Sequence, residues 1–362
     1  MGGKGTTYFC TLTMLYKGFV FLFLLAAALS SCEDSPKLPK EARVPITVTI
    51  ARFDRDFFAL DTSQLNEGLD VLSASYPDFF PGYLQAILGI QPADPQAPEA
   101  IRAFLNSYRP VYQQAVPIAE KEFADFPKHM ETALQWMKYL VPAFRPDSPF
   151  VVTPFIGPMD AYESFSIGDY GDVRTSNGVG IALQFHLGRD AEIYEQGMKN
   201  GVFYQYQVQR FTPETMLVNA MKNVIEDLYP YTTAGKPMVE EMVEKGKRLY
   251  LLKRVLPETG DSLLLGYTGS QTTGCYENEE TIWQFFVKND LLYSIEPAIN
   301  QQYLRDGPKT PELGDASPGY IGLFTGWRIV ESYMKKFPDT SIDALMKKPA
   351  MEVYQGGNYR PG

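Results

Sequence analysis

The chain has 362 residues, 45% hydrophobic and 14% aromatic, enough to bury a large core, which argues against an intrinsically disordered protein. Its 33 Lys and Arg face 43 Asp and Glu, a formal net charge of -10, and residues 1–31 carry Lys4, Lys17 and no acid, so their removal makes the balance more negative still. Neutralising phosphates takes a basic face that this composition does not offer, so nucleic acid is not an expected partner.

From Met14 the chain reads MLYKGFVFLFLLAAALSSC, with an apolar run from Phe19 to Leu29 and small residues before Cys32. The run suits the core of a signal peptide and is short for the roughly 20 residues of a membrane span. Leu29-Ser30-Ser31-Cys32 resembles a bacterial lipobox, which implies cleavage after Ser31 and diacylglycerol on the Cys32 sulfur. Initiation at Met1 or at Met14 gives the same mature chain. Cys10 leaves with the leader and Cys32 takes the lipid, so Cys275 remains as a packed small hydrophobe, with no disulfide expected. The expected organisation is a signal peptide over 1–31, a tether over 32–44, a single domain over 45–348 and a tail over 349–362. Within the domain, a helical part spans 54–145, a core 146–257 and a helical C-terminal part 258–348.

Residues 33–44, EDSPKLPKEARV, are polar and proline-bearing, as a tether should be. Over 45–53, Ile46, Val48 and Ile50 alternate with Thr47, Thr49 and Ala51, which predicts a half-buried strand. A helical turn at 54–60 follows, then helices at 63–75, 81–88, 98–107 and 117–140, the last with a break at Pro127. His129 lies on that last helix and reads as a surface or partner-bonded side chain. Segments 150–156, 161–167 and 180–187 are rich in β-branched and aromatic residues and predict a small sheet. In the third, Ile181, Leu183, Phe185 and Leu187 take one face and Ala182, Gln184 and His186 the other, so His186 faces water or the polar side of a cleft. Gly178-Val179-Gly180 lacks the spacing of a phosphate loop and reads as a strand-edge turn.

The middle of the chain predicts two helices. The first opens with Thr212 as N-cap and Pro213 at the first position, carries Leu217, Met221, Val224 and Leu228 on its apolar face, and leaves Asn219 and Asn223 on the polar side. The second starts at Pro237 and turns Val239, Met242, Val243, Gly246, Leu249 and Tyr250 inward. Its outward pairs, Glu241 with Lys245 and Glu244 with Arg248, read as a solvated, salt-bridged surface. A helix at 276–289 follows, whose Glu277, Glu279 and Glu280 suit the positive end of its dipole better than a cation site. Helices at 295–304, 318–336 and 341–347 end the ordered part. Gly322 and Gly326, four apart, predict a close backbone approach.

Sheet, helix, turn, second helix is the order of a zincin-like peptidase, in which an H-E-x-x-H helix supplies two zinc ligands and a catalytic glutamate, and the next helix a third ligand. Several segments resemble the gliding-motility lipoprotein GldB family of Bacteroidetes, itself similar to predicted zinc proteases of that type. They are RFDRDFFALD at 52–61, YPDFFPGYLQAILGI at 76–90, DSLLLGYT at 261–268, CYENEETIWQFFVKNDLLYS at 275–294, and RDGPKTPELGDASPGYIGLFTGWRIVESYM at 305–334. The resemblance implies an α+β, predominantly helical fold with a zincin-like core, made of a small sheet and a degenerate metal-site helix pair. Carried onto this chain, the metal-histidine positions fall at Asn219 and Asn223, the catalytic glutamate at Ala220 and the third ligand at Lys245, with Glu244 adjacent in a shifted register. Neutral amides bind zinc poorly and an ammonium repels it. The two histidines, His129 and His186, are far apart in sequence, no G-x-S-x-G elbow occurs, and His186 has no identifiable Ser and Asp partners.

The expectation is therefore a membrane-anchored cell-envelope lipoprotein, held by the lipid on Cys32 and inactive as a peptidase. It has no metal, catalytic residue or small-molecule cofactor, and it acts on envelope protein partners in gliding motility or type IX secretion. One alternative is an active envelope hydrolase with a non-standard site near Glu226, Glu241, Glu244 or His186. Another is a lipoprotein that binds an extended peptide in the old cleft without cleaving it.

Overall fold

The alternation near the start of the domain becomes strand β1 (Val48–Ile50), with Ile46 buried and Thr47 and Thr49 turned to solvent. The computed structural model describes residues 36–159, 171–232 and 234–361, so Cys32, the leader and the expected strand at 161–167 lie outside the described residues. β1 pairs in parallel with β2 (Phe150–Phe155), Val48 opposite Phe150 and Ile50 opposite Val152. β3 (Val173–Thr175) and β4 (Gly178–Ala182) form an antiparallel pair, and β4 also runs parallel to β2, giving the order β1-β2-β4-β3. Gly178-Val179-Gly180 is thus the body of a strand and not a turn at its edge. All five residues of β4 are buried, and a Cβ on Gly178 would collide with the Val151 carbonyl of β2.

Parallel neighbours need a long crossover, and between β1 and β2 it is the helical part of the chain. It comprises α1 (Phe53–Phe58), α2 (Leu65–Ser75), helical turns at Phe80–Gly82 and Tyr83–Ile87, α3 (Ala97–Glu122) and α4 (Phe126–Leu140). An aromatic cluster joins the crossover to the sheet: Tyr83 lies 4.7 Å from Phe53, 5.1 Å from Phe57 and 6.0 Å from Phe155, ring centre to ring centre. Its hydroxyl donates to the Ile156 carbonyl at 2.8 Å.

Two helix boundaries differ from expectation. α3 runs straight through Pro110 and Pro117, because the buried positions Ile101, Leu105, Val111, Ala115 and Ala119 continue across them, and their burial outweighs the lost backbone hydrogen bonds. The break comes over 123–125, and Pro127 sits in the first turn of α4, where its missing N–H is harmless. The expected tether is also partly docked: Ala42 is buried, and Gln135 of α4 donates to the Val44 carbonyl at 2.9 Å.

After the sheet come α5 (Glu192–Lys199), α6 (Thr215–Leu228) and α7 (Met238–Val255). α6 begins three residues past Thr212, whose carbonyl accepts the Thr215 N–H at 3.1 Å. It lies on β3 and β4 and packs against α4 and α7. The C-terminal part is α8 (Asp261–Leu265), α9 (Gly269–Glu277), α10 (Glu279–Lys288), α11 (Pro297–Leu304), α12 (Ile321–Lys336), α13 (Ile342–Lys347) and α14 (Ala350–Gly357).

The single helix expected at 276–289 is two. α9 is opened by a capping box, in which Thr268 Oγ1 accepts from the Gln271 N–H and Gln271 Oε1 from the Thr268 N–H. Glu277 ends α9. Only Glu279 and Glu280 occupy the first turn of α10, where Glu279 accepts from Arg328 Nε at 2.8 Å and from the Tyr359 hydroxyl at 2.7 Å. Order continues past 347, since α14 buries Ala350 and Val353 and packs on α7 and α12. No helix among the described residues is long and apolar enough to cross a membrane.

The close approach expected at Gly322 and Gly326 is present. A Cβ on Gly326 would collide with the Met242 carbonyl of α7, one on Gly246 with the Gly326 carbonyl, and one on Gly322 with the Leu304 side chain. Gly326→Ala is expected to lower the stability by about 3 kcal/mol. Gly274→Ala in α9, where a Cβ would meet nothing within 4 Å, should be neutral or stabilising by up to about 1 kcal/mol. Denaturant midpoints of the two variants against the parent chain check both.

Candidate functional site

Enclosed by sheet, α4 and α7, helix α6 has little solvent face. Asn219 is 6% exposed and Asn223 fully buried, which corrects the expected polar side. The stripe of α6 that meets open space is Thr215, Asn219, Lys222 and Glu226, spaced i, i+4, i+7 and i+11. Thr215, Asn219 and Lys222 line a cleft of about 940 Å³ whose other walls include Arg210, Thr268, Gln271 and Tyr320. Lys222 and Glu226 line a smaller recess of about 220 Å³ together with Tyr231, Lys245, Arg248 and Tyr320. Lys222 and Tyr320 are walls of both, so the two spaces adjoin.

Asn223 lines neither space. Its Nδ2 donates to the Asn219 carbonyl at 3.0 Å, and its Oδ1 has no hydrogen-bond partner among the described residues. Ala220 is fully buried in the core. The positions that the resemblance makes equivalent to two zinc ligands and a catalytic glutamate therefore do not converge: Asn219 meets the cleft, Asn223 and Ala220 do not.

Lys245 does not bridge to Glu241. Its Nζ donates to the Tyr320 hydroxyl at 2.9 Å and stands 5.1 Å from the Tyr320 ring centre and 5.8 Å from that of Tyr231. Burial works to lower the Lys245 pKa, but Tyr320 and Tyr231 outweigh it and hold the ammonium above its ordinary value. The expected pair of Glu244 with Arg248 forms at 3.0 Å, yet it is no solvated surface, because Arg248 is only 8% exposed. Its guanidinium stacks 3.7 Å from the Tyr231 ring centre, donates to the Glu244 and Tyr229 carbonyls, and leaves Nε without a partner among the described residues. Glu244 also takes Lys247 Nζ at 2.7 Å, and burial still pulls the Lys247 pKa down. Burial pushes the Glu241 carboxyl above its usual range. Neither Glu241 nor Glu244 lines the cleft or the recess.

His186 is fully buried, against the expectation that it faces water or a cleft. β4 ends at Ala182, and a turn of 3-10 helix over Leu183–Phe185 breaks the strand alternation and carries His186 under the start of α6. There Nε2 lies 3.2 Å from both carboxylate oxygens of Asp172, and Nδ1 lies 3.1 Å from the Thr212 carbonyl and from Thr215 Oγ1. Asp172 also accepts the Ala182 N–H at 2.7 Å. The Asp partner that the sequence did not disclose thus exists, 14 residues upstream, and the cluster ties the β3–β4 hairpin to α6. His129 is exposed on α4. Among the described residues no three His, Cys, Asp or Glu side chains gather as a metal ion would need. Cys275 is buried, and burial pushes its thiol up to about 12.

Several site residues had no place in the sequence expectations. Tyr320 precedes α12 in a left-handed backbone conformation, φ 61°, and its carbonyl accepts from the Tyr267 hydroxyl at 3.0 Å. No local pattern marks it, nor Tyr231. Thr268 was findable from T-x-x-Q, and Lys222 from the polar stripe that starts at Thr215.

The family model of the gliding motility protein GldB matches residues 34–361, and the chain belongs to that family. No curated protein and no solved structure matches it. The matched span contains every strand, both helices of the central pair and the whole of the cleft.

His186→Gln and Asp172→Asn are each expected to destabilise by about 3 kcal/mol, because either leaves a buried polar group without its partner. The double variant should cost less than the sum of the two. Urea unfolding of the four chains closes that cycle.

Proposed function

We propose that this GldB-family chain is a zincin-like envelope lipoprotein, inactive as a peptidase, that works by binding proteins of the gliding-motility or type IX secretion machinery. The observation that carries the inactive reading is the fate of the metal positions. Asn219, Ala220 and Asn223 point to different surroundings, and Lys245 brings an ammonium held charged by two tyrosines. An ammonium at the third-ligand position repels a divalent metal. The zincin-like reading is supported by the order of sheet, α6 laid on β3 and β4, and α7. Attachment to the envelope is supported by the signal-like leader, by Leu29-Ser30-Ser31-Cys32, and by the family.

A second reading, that the cleft holds an extended peptide without cleaving it, is favoured by the cleft itself. Its volume of about 940 Å³ is that of a ligand site, and Asn219, Thr268, Gln271 and Tyr320 offer it amide and hydroxyl groups of the kind that hydrogen-bond a peptide backbone. The two readings combine when a partner inserts a segment there.

Full-length protein, extracted from membranes in detergent and assayed for metal by mass spectrometry, is expected to carry zinc well below one atom per chain. Stoichiometric zinc that is lost on replacing Asn219 or Glu244 overturns the inactive reading. Cys32→Ala is expected to move the protein from the membrane to the soluble fraction and to remove the mass of the lipid; retention with unchanged mass overturns the anchor.

A further inference from the structure

The small recess beside the cleft is built around the Lys245 ammonium, with Glu226 on its wall and Glu241 acting on Lys245 at longer range. Among the described residues no carboxylate lies within ion-pair distance of Lys245, whereas its neighbours Lys247 and Arg248 share Glu244. An ammonium has three donors, and Lys245 is met by phenol hydroxyls and the faces of Tyr231 and Tyr320. Phenol hydroxyls and ring faces stabilise a cation without neutralising it. Arg248 lines the same recess; its buried Nε–H has no acceptor among the described residues, and its other nitrogens are fixed by Glu244 and Tyr229. In a chain of net charge -10, this is a local reversal of sign.

We propose that the recess binds a carboxylate, received by Lys245 and Arg248 between the rings of Tyr231 and Tyr320, and that this carboxylate belongs to a peptide whose remaining residues lie in the larger cleft. The proposal rests on the reading that the cleft holds a peptide without cleaving it. A single negative charge matches an ammonium that makes no direct ion pair among the described residues, and Glu226 on the wall opposes a dianion such as phosphate more than it opposes a carboxylate. The recess, at about 220 Å³, admits an end group and little more. Its shared walls, Lys222 and Tyr320, lead the rest of the ligand into the cleft of about 940 Å³. The carboxylate is either the C-terminus of the peptide or an Asp or Glu side chain, and both present the same two oxygens to the same donors.

The test uses immobilised full-length protein in detergent and three pools of random octapeptides. One has free C-termini and no Asp or Glu, one has amidated C-termini with Asp and Glu, and one has amidated C-termini without them; retained peptides are quantified by mass spectrometry. The carboxylate-free pool is expected to be retained about tenfold less than at least one of the others, and which of the two binds identifies the source. Lys245→Met should remove that difference, and Tyr320→Phe should reduce it. Lys199→Met, at an exposed i,i+4 pair with Glu195, should leave it intact. Equal retention of all three pools by the parent chain overturns the carboxylate site and leaves the peptide cleft standing, a result that needs no variant to fold. Retention of none of the pools overturns the peptide cleft, and the carboxylate site with it.

Discussion

The contact on which the rest of the structure depends is backbone against backbone, where Gly246 of α7 meets Gly326 of α12. Helices bearing side chains at their crossing stay about 8–10 Å apart; two glycines remove that spacer. The approach carries the start of α12 over the outer side of α7, so Tyr320 arrives above Lys245, the residue just before Gly246. It also leaves both helices free to receive α14 across them. Lys247 completes the join from the other side, with Nζ bonded to Glu244 and to the Lys348 carbonyl between α13 and α14. A buried lysine is costly unless it is paired and hydrogen-bonded, and here both conditions are met.

Helix α6 occupies the other half of the arrangement. Its N-terminus is fixed by the cluster of Asp172, His186 and Thr215, and its flank by the sheet, so the stripe from Thr215 to Glu226 is presented to the cleft on a rigid support. Thr215 belongs both to that cluster and to the cleft wall. Binding groups held on helices keep their geometry better than groups on loops. This wall of the cleft is therefore preformed and keeps its shape without rearrangement.

How much of this was legible in the sequence differs between elements for physical reasons. The strand at Ile46, Val48 and Ile50 was readable because one of its faces meets solvent, and alternation reports that contrast. Gly322 and Gly326 were readable because glycine in a helix interior is unfavourable without a packing reason. Asn223 was misplaced because α6 is enclosed on most sides, and its open stripe is the narrow line of Thr215, Asn219, Lys222 and Glu226. The separate helices expected at 98–107 and 117–140 were misdivided because local breakers lose to a long buried stripe. The recess could not be read at all: Lys245 and Tyr320 are 75 residues apart, and nothing local joins them. Periodicity and the Thr212-Pro213 and Pro237 signals located the two central helices, while the surroundings of Asn219, Asn223 and Lys245 came only from where each side chain points.

Tyr320 shows what such a centre asks of the backbone. At φ 61° a tyrosine costs roughly 1–2 kcal/mol that glycine would not, yet its side chain forms the wall shared by cleft and recess, and its hydroxyl meets the lone ammonium. Stability and the shape of the cavities thus pull in opposite directions at one position. A sequence drifting toward sturdier folding would be drawn to glycine here, at the expense of the partition between the two chambers. The residue at this site is therefore a local gauge of which the chain favours, the durability of the scaffold or the shape of its cavities.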